Sequence, residues 1–113
     1  MQPKPPFDPA DVDPVINAPA RLAIMTILAR GDEVEFSVIG EMLNLTDGNL
    51  GAHLRKLEEA GYVKCTKEFR NRKPRTTYRM QIKGRAAFEK HLDTLEKILS
   101  NEKSGNAKSR RTG

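Results

Sequence analysis

The segment from Thr46 to Gly61, TDGNLGAHLRKLEEAG, restricts the fold more than any other part of this chain. Leu50, Leu54 and Leu57 recur at spacings of four and three, and so do Asn49, His53 and Lys56. On a helix with 3.6 residues per turn, these spacings make two neighbouring stripes, one apolar and one of hydrogen-bonding and basic groups. Thr46 is a candidate N-cap and Gly61 a C-terminal stop. Gly48 and Gly51 each cost such a helix about 1 kcal/mol if interior. Close approach of the backbone to a ligand, with first-turn amides facing an anion, is a reason to keep them. Alone, the segment also fits an amphipathic helix with a solvated face. Its neighbours decide between the two.

Upstream, helix one starts near Asn17, a candidate N-cap, with Pro19 in the first turn, and runs through LAIMTILA to Gly31. It is apolar nearly all round (Leu22, Ala23, Ile24, Met25, Ile27, Leu28), which marks a central helix with one face free for a second copy. Glu33 to Glu35 reads as a short strand. Ser37 then caps helix two, with Phe36, Ile39 and Leu43 inward and Asn44-Leu45-Thr46 as the turn.

From Tyr62 the period changes to two. Val63 and Cys65 alternate with Lys64 and Thr66, and Tyr78, Met80 and Ile82 with Thr77, Arg79 and Gln81. Between them lies the polar turn Arg70-Asn71-Arg72-Lys73-Pro74-Arg75, giving a two-stranded wing; Phe69 beside it reads as a packed aromatic. Gly84 opens a last helix with Phe88, Leu92, Leu95 and Leu99 spaced four, three and four, a narrow stripe of coiled-coil type. A small three-helix core does not need that stripe, so it is expected to bury against another subunit together with Leu22.

The organisation expected is a flexible arm over 1–14, one domain over 15–99 whose dimerisation helix covers 85–99, and a disordered basic tail over 100–113. The arm holds five of the seven prolines, and Phe7 and Val12 within it, with Val15 and Ile16 just past its end, are apolar groups for a partner subunit. The fold class is mainly α with a small β wing, in the order α-β-α-α-β-β-α.

Charge is concentrated. Tyr62 to Arg85 holds nine basic residues and one acid, a net +8 against +5 for the whole chain. Concentrated positive charge suggests a polyanionic partner. Four cations in six positions at a hairpin tip add nothing to a core; phosphate or minor-groove contact explains Arg70, Asn71, Arg72, Lys73 and Arg75. A solvated turn that keeps a sheet edge from aggregating is the structural alternative. In the helix, Asn49 can bond an adenine edge, His53 a base or phosphate, and Lys56 a phosphate, with Asp47, Ala52 and Arg55 flanking. The partner expected is double-stranded DNA.

Other chemistry finds little support. The single Cys65 excludes an internal disulfide and a cysteine-cluster zinc site, and His53 and His91 sit in no dense ligand set, so no metal or cofactor is expected. Cys65 reads as an inward small hydrophobe, with Lys64 and Lys67 leaving redox sensing open. No glycine-rich phosphate loop or nucleophile elbow occurs, and no enzyme activity is expected. The chain has no run of about 18 apolar residues and no basic-then-apolar leader, which points to a cytoplasmic, nucleoid-associated protein without a membrane partner.

Two motifs, L-x-x-H-L-x-x-L-E-x-x-G-Y-V from Leu50 and R-x-x-Y-x-x-x-x-x-G-R from Arg75, make the chain resemble the small winged-helix transcriptional regulators related to MarR and ArsR proteins, from about Asp13 to Leu99. The resemblance implies a winged helix-turn-helix and a homodimer joined through the first and last helices. It also implies two recognition helices in successive major grooves of a pseudo-palindromic operator, with Asn49, Gly51, His53, Lys56 and the wing arginines meeting DNA. Thr46, Asp47 and Arg55 complete the recognition set, and Leu22, Phe88, Leu92, Leu95 and Leu99 the dimer interface. Gly51 stands where many relatives carry serine, and the cysteine pair of ArsR-type metal sensors is absent from the helix before the turn. The region that holds an inducer in MarR-type proteins is minimal here, and the resemblance assigns no effector. The function implied is a sequence-specific regulator, chiefly a repressor. A winged-helix module that binds protein and a non-specific DNA-packaging protein are the alternatives.

Overall fold

The computed structural model describes the backbone of residues 3–112 and the side chains of residues 3–101. Helices α1 (Pro19–Leu28), α2 (Phe36–Leu43) and α3 (Asp47–Glu59) precede an antiparallel hairpin of β2 (Val63–Arg70) and β3 (Lys73–Met80), and α4 (Ile82–Thr112) follows. The two-residue strand β1 (Val34–Glu35) joins the hairpin to give a sheet of order β1-β3-β2. This is the expected order of elements, four helices with a small wing.

Local chemistry sets most boundaries. Thr46 Oγ1 accepts the Asn49 N–H at 3.2 Å and caps α3, with Asp47 in the first turn where the helix dipole favours an acid. Past α3 the chain closes a Schellman motif: Gly61, at φ +79°, donates to Glu58 O, and Tyr62 donates to Leu57 O at 3.0 Å. Two caps differ from the sequence reading. Ala18, not Asn17, precedes α1, because Pro19 occupies its first position. Glu35 precedes α2, and Ser37 is an exposed helical residue, because β1 hands its backbone directly to the helix.

Ile24, Met25 and Leu28 of α1, Ile39 of α2 and Leu50, Leu54 and Leu57 of α3 form the core, closed by Val63, Tyr78 and Phe88. Ile16 joins them at 0% exposure rather than serving a partner subunit. Asp13 is the reason: its Oδ1 accepts the Val15 and Ile16 N–H groups at 2.8 and 3.1 Å and turns the chain inward. The arm is likewise fastened rather than free. A 3-10 turn, Pro9–Asp11, lies on α4, where Thr94 Oγ1 donates to Asp11 O at 3.2 Å and Asn101 donates to Pro6 O at 3.2 Å.

The wing departs from the expected six-residue turn. Strand pairing continues to Arg70↔Lys73, so only Asn71 and Arg72 connect the strands, both left-handed at φ +50° and +64°. Such a two-residue turn matches the twist of its strands. It carries Phe69, opposite Pro74, out beyond the reach of β1, and leaves it 75% exposed instead of packed. The last helix begins at Ile82 rather than Gly84, since Gln81 leaves the ladder by donating to Tyr62 O at 2.8 Å; Ile82 is therefore an exposed first-turn residue and not a strand position. The helix backbone carries through Thr112, where disorder was expected from Ser100; the side chains beyond Asn101 lie outside the described ones.

Candidate nucleic-acid interface

Leu50, Leu54 and Leu57 hold α3 against α1 and α2, and their burial turns the opposite face of the helix to solvent. Asn49, Ala52, Arg55 and Lys56 are exposed away from the leucines, and Asp47, three residues before Leu50, is exposed in the first turn. Gly48 and Gly51 belong to the same outward surface, and a Cβ added at either meets nothing within 4 Å. Neither glycine is therefore required by the packing of its own chain. Alanine at either position is expected to raise stability by up to about 1 kcal/mol through helix propensity and to weaken DNA binding, by urea titration and duplex binding respectively. A stabler variant that binds unchanged would remove the glycines from the interface.

His53 sits differently from its stripe-mates. It is half-buried, and its Nδ1 lies 3.2 Å from Nη1 of Arg21 on α1. Burial first, then the positive charges of Arg21 and Lys56, hold its pKa below the ordinary 6.5. Arg21 escaped the sequence reading because it lies 32 residues away, and only the packing of α1 against α3 brings the two together.

At the wing, Asn71, Arg72 and Lys73 are exposed at the tip, and Arg70 is paired with Glu68 at 3.3 Å. Arg75 is not a tip residue. Arg75 stands opposite Glu68, two rungs back from Arg70↔Lys73, and the β1–β3 pairing brings Glu35 within reach, so that Arg75 Nε makes an ion pair with Glu35 Oε1 at 2.9 Å. Its role is to tie the hairpin to β1. Replacing Arg72 and Lys73 with alanine is expected to reduce the slope of log affinity against log salt by roughly one unit for each phosphate left without its cation. Replacing Arg75 is expected to leave the slope alone and to cost less than about 1 kcal/mol of stability, the range of a partly exposed pair. Equal slope changes at both sites would reverse these assignments.

On β2, Cys65 is a half-buried free thiol opposite Tyr78, whose hydroxyl pKa is raised by burial first and then by the neighbouring Cys65 thiol. Gly51, Arg55, Glu58 and Lys67 surround the pair in an open groove between α3 and the wing. Among the described residues, no group of three or more His, Cys, Asp or Glu side chains could hold a metal ion.

The stripe on α4 is split by the fold. Phe88 fills this chain's own core at 6% exposure, with His91 and Thr94 on the same buried side, because α4 lies across the helix–sheet junction. Phe88 is thus not a surface residue. Leu92 and Leu99 remain 42% and 52% exposed, while Leu95 and Leu22 are half-buried.

Residues 20–99 match the winged helix DNA-binding domain family. The chain belongs to that family. Its relatives include the uncharacterized protein MJ0432 of Methanocaldococcus jannaschii, 36% identical over 87 residues, covering 77% of this chain and 95% of that one. A solved transcriptional regulator homologue from Pyrococcus horikoshii OT3 is 34% identical, with a TM-score of 0.73 over 77% of this chain and 86% of its own. A MarR-family protein from Enterococcus faecalis V583 shares the fold at 24% identity and a TM-score of 0.64, covering 86% and 84% of the two chains. The protein is thus a winged helix of the kind used by transcriptional regulators, with α3 in the position of the recognition helix and β2–β3 as its wing. Among the described residues, no helix is long and apolar enough to cross a membrane.

Proposed function

We propose that this winged helix is a sequence-specific regulator that binds double-stranded DNA as a homodimer and represses transcription by occupying a pseudo-palindromic operator. The observation that carries the reading is the joint exposure of Asn49, Arg55 and Lys56 on α3 and of Asn71, Arg72 and Lys73 at the wing tip. An exposed asparagine can discriminate adenine, and the surrounding cations meet phosphates on either side. Leu92 and Leu99 supply an apolar face on α4 for the second subunit, and a two-fold pair of recognition helices demands half-sites about 34–36 Å apart. The relative described as a transcriptional regulator homologue supports the same assignment.

Selection from a random duplex pool at about 150 mM salt tests it. Enrichment of an inverted repeat is the expected result. Binding without enrichment would favour packaging driven by charge, and absence of binding would favour a protein partner.

A further inference from the structure

We propose that Arg21 fixes the tautomer of His53, so that α3 presents an Nε2–H donor and reads a base that offers a hydrogen-bond acceptor. The inference rests on the reading of α3 as the helix that enters the major groove.

A guanidinium has five N–H donors, no acceptor, and stays charged in proteins. With Arg21 Nη1 at 3.2 Å, His53 Nδ1 can only accept, and the ring proton is left on Nε2. The other tautomer sets N–H against N–H. A protonated ring does the same and adds a third cation beside Arg21 and Lys56. The depressed pKa of His53 agrees with a neutral ring. The charged groups around it are Arg21 from α1 and Lys56 from its own helix; Glu59 lines the hollow that Arg21 and Lys56 share with Val15.

Arg21 is itself held in place. Its Nε donates to Val15 O at 2.5 Å, and Val15 belongs to the turn that Asp13 caps. Asp13 Oδ2 accepts the Tyr62 hydroxyl at 2.6 Å. Burial, followed by that bond, pushes the Tyr62 pKa up to about 12. A line of hydrogen bonds therefore runs from Tyr62, just past the end of α3, through the arm, to Arg21 and back to the middle of α3. Arg21 is a positioning residue that acts through His53.

In the major groove the acceptors are purine N7, guanine O6 and thymine O4, whereas adenine N6 and cytosine N4 are donors. A ring with Nε2–H favours the first set and rejects the second. A ring with the opposite tautomer, with Nδ1 protonated, would reverse the preference.

The test is nitrogen NMR of the histidine rings in the full chain without DNA at neutral pH, with His53→Gln to separate His53 from His91. Nε2 protonated and Nδ1 unprotonated is the expected state, mixed in Arg21→Met and retained in part in Arg21→Lys, which keeps a donor. In binding, Arg21→Met is expected to reduce discrimination about tenfold at one symmetric pair of base positions, with a smaller change on unrelated duplex. A proton on Nδ1 in the parent protein, or a charged ring, overturns the assignment. So does a tautomer indifferent to Arg21→Met, or a loss spread evenly over all positions, which marks a phosphate contact. If Arg21→Met fails to fold, the parent spectrum and Arg21→Lys still decide. The expected tautomer in a protein with no base preference would overturn the groove reading and the base contact together, while leaving the Arg21–His53 bond in place.

Discussion

Glutamate at both Leu92 and Leu99 is expected to give a monomer in sedimentation and to lower operator affinity by about two orders of magnitude or more. Both side chains are roughly half exposed in the single chain, so neither supports its own core, and the variant should keep its helical circular dichroism. An isologous interface uses the same patch twice, so two substitutions place four carboxylates against one another and remove four leucines from burial. Full burial of one leucine is worth about 1.5–3 kcal/mol, of which the exposed half remains to be gained on association. The affinity falls because each half-site would then be bound alone, without the effective concentration supplied by its twin. A dimer that persists would move the interface to another surface, such as the one around Leu22.

Alanine at Gly84 is expected to be among the most damaging single changes in the chain. A Cβ there would stand 2.1 Å from the carbonyl oxygen of Tyr62 and 2.8 Å from its Cα, both backbone atoms that no rotamer change can move aside. α4 would have to withdraw from the junction of α3 and β2, disturbing Phe88 and the bond from Gln81 to Tyr62. A loss near 3 kcal/mol, at about the upper end for overpacking, corresponds to a fall of roughly 10–20 °C in Tm. Thermal unfolding measures it directly. A Tm within a few degrees of the parent's would show that α4 shifts easily. The contrast with Gly48 and Gly51, where added carbons meet open space, separates a glycine kept for packing from glycines free to face a ligand.

What the sequence disclosed was local. Leu50, Leu54 and Leu57 announce the buried side of α3 by spacing, Thr46 its cap, and the alternation around Val63 and Tyr78 the wing, because each signal lies within one element. The features that spacing did not show share another cause. Arg75 counts as one of the tip cations until β1 brings Glu35 beside it. His53 looks as free as Asn49 until α1 supplies Arg21. Ile16 looks like a loose apolar residue just past the arm until Asp13 turns it inward. All three depend on tertiary or turn geometry, which periodicity does not encode. The tight turn is hidden for a chemical reason: Asn71-Arg72 lacks the glycine that usually signals left-handed backbone.

That turn constrains how the protein can diverge. A non-glycine residue at φ +64° is uncommon, and β-branched side chains there are strongly disfavoured. Replacement of Arg72 by glycine would relax the hairpin but delete the outermost charge of the wing. Sequence variation at the wing tip is therefore funnelled into a narrow choice between an easier backbone and a longer electrostatic reach. Under the proposed DNA-binding role, adaptation of the wing to new sites has more freedom one residue away, at Lys73, which lies in the strand and outside the left-handed pair.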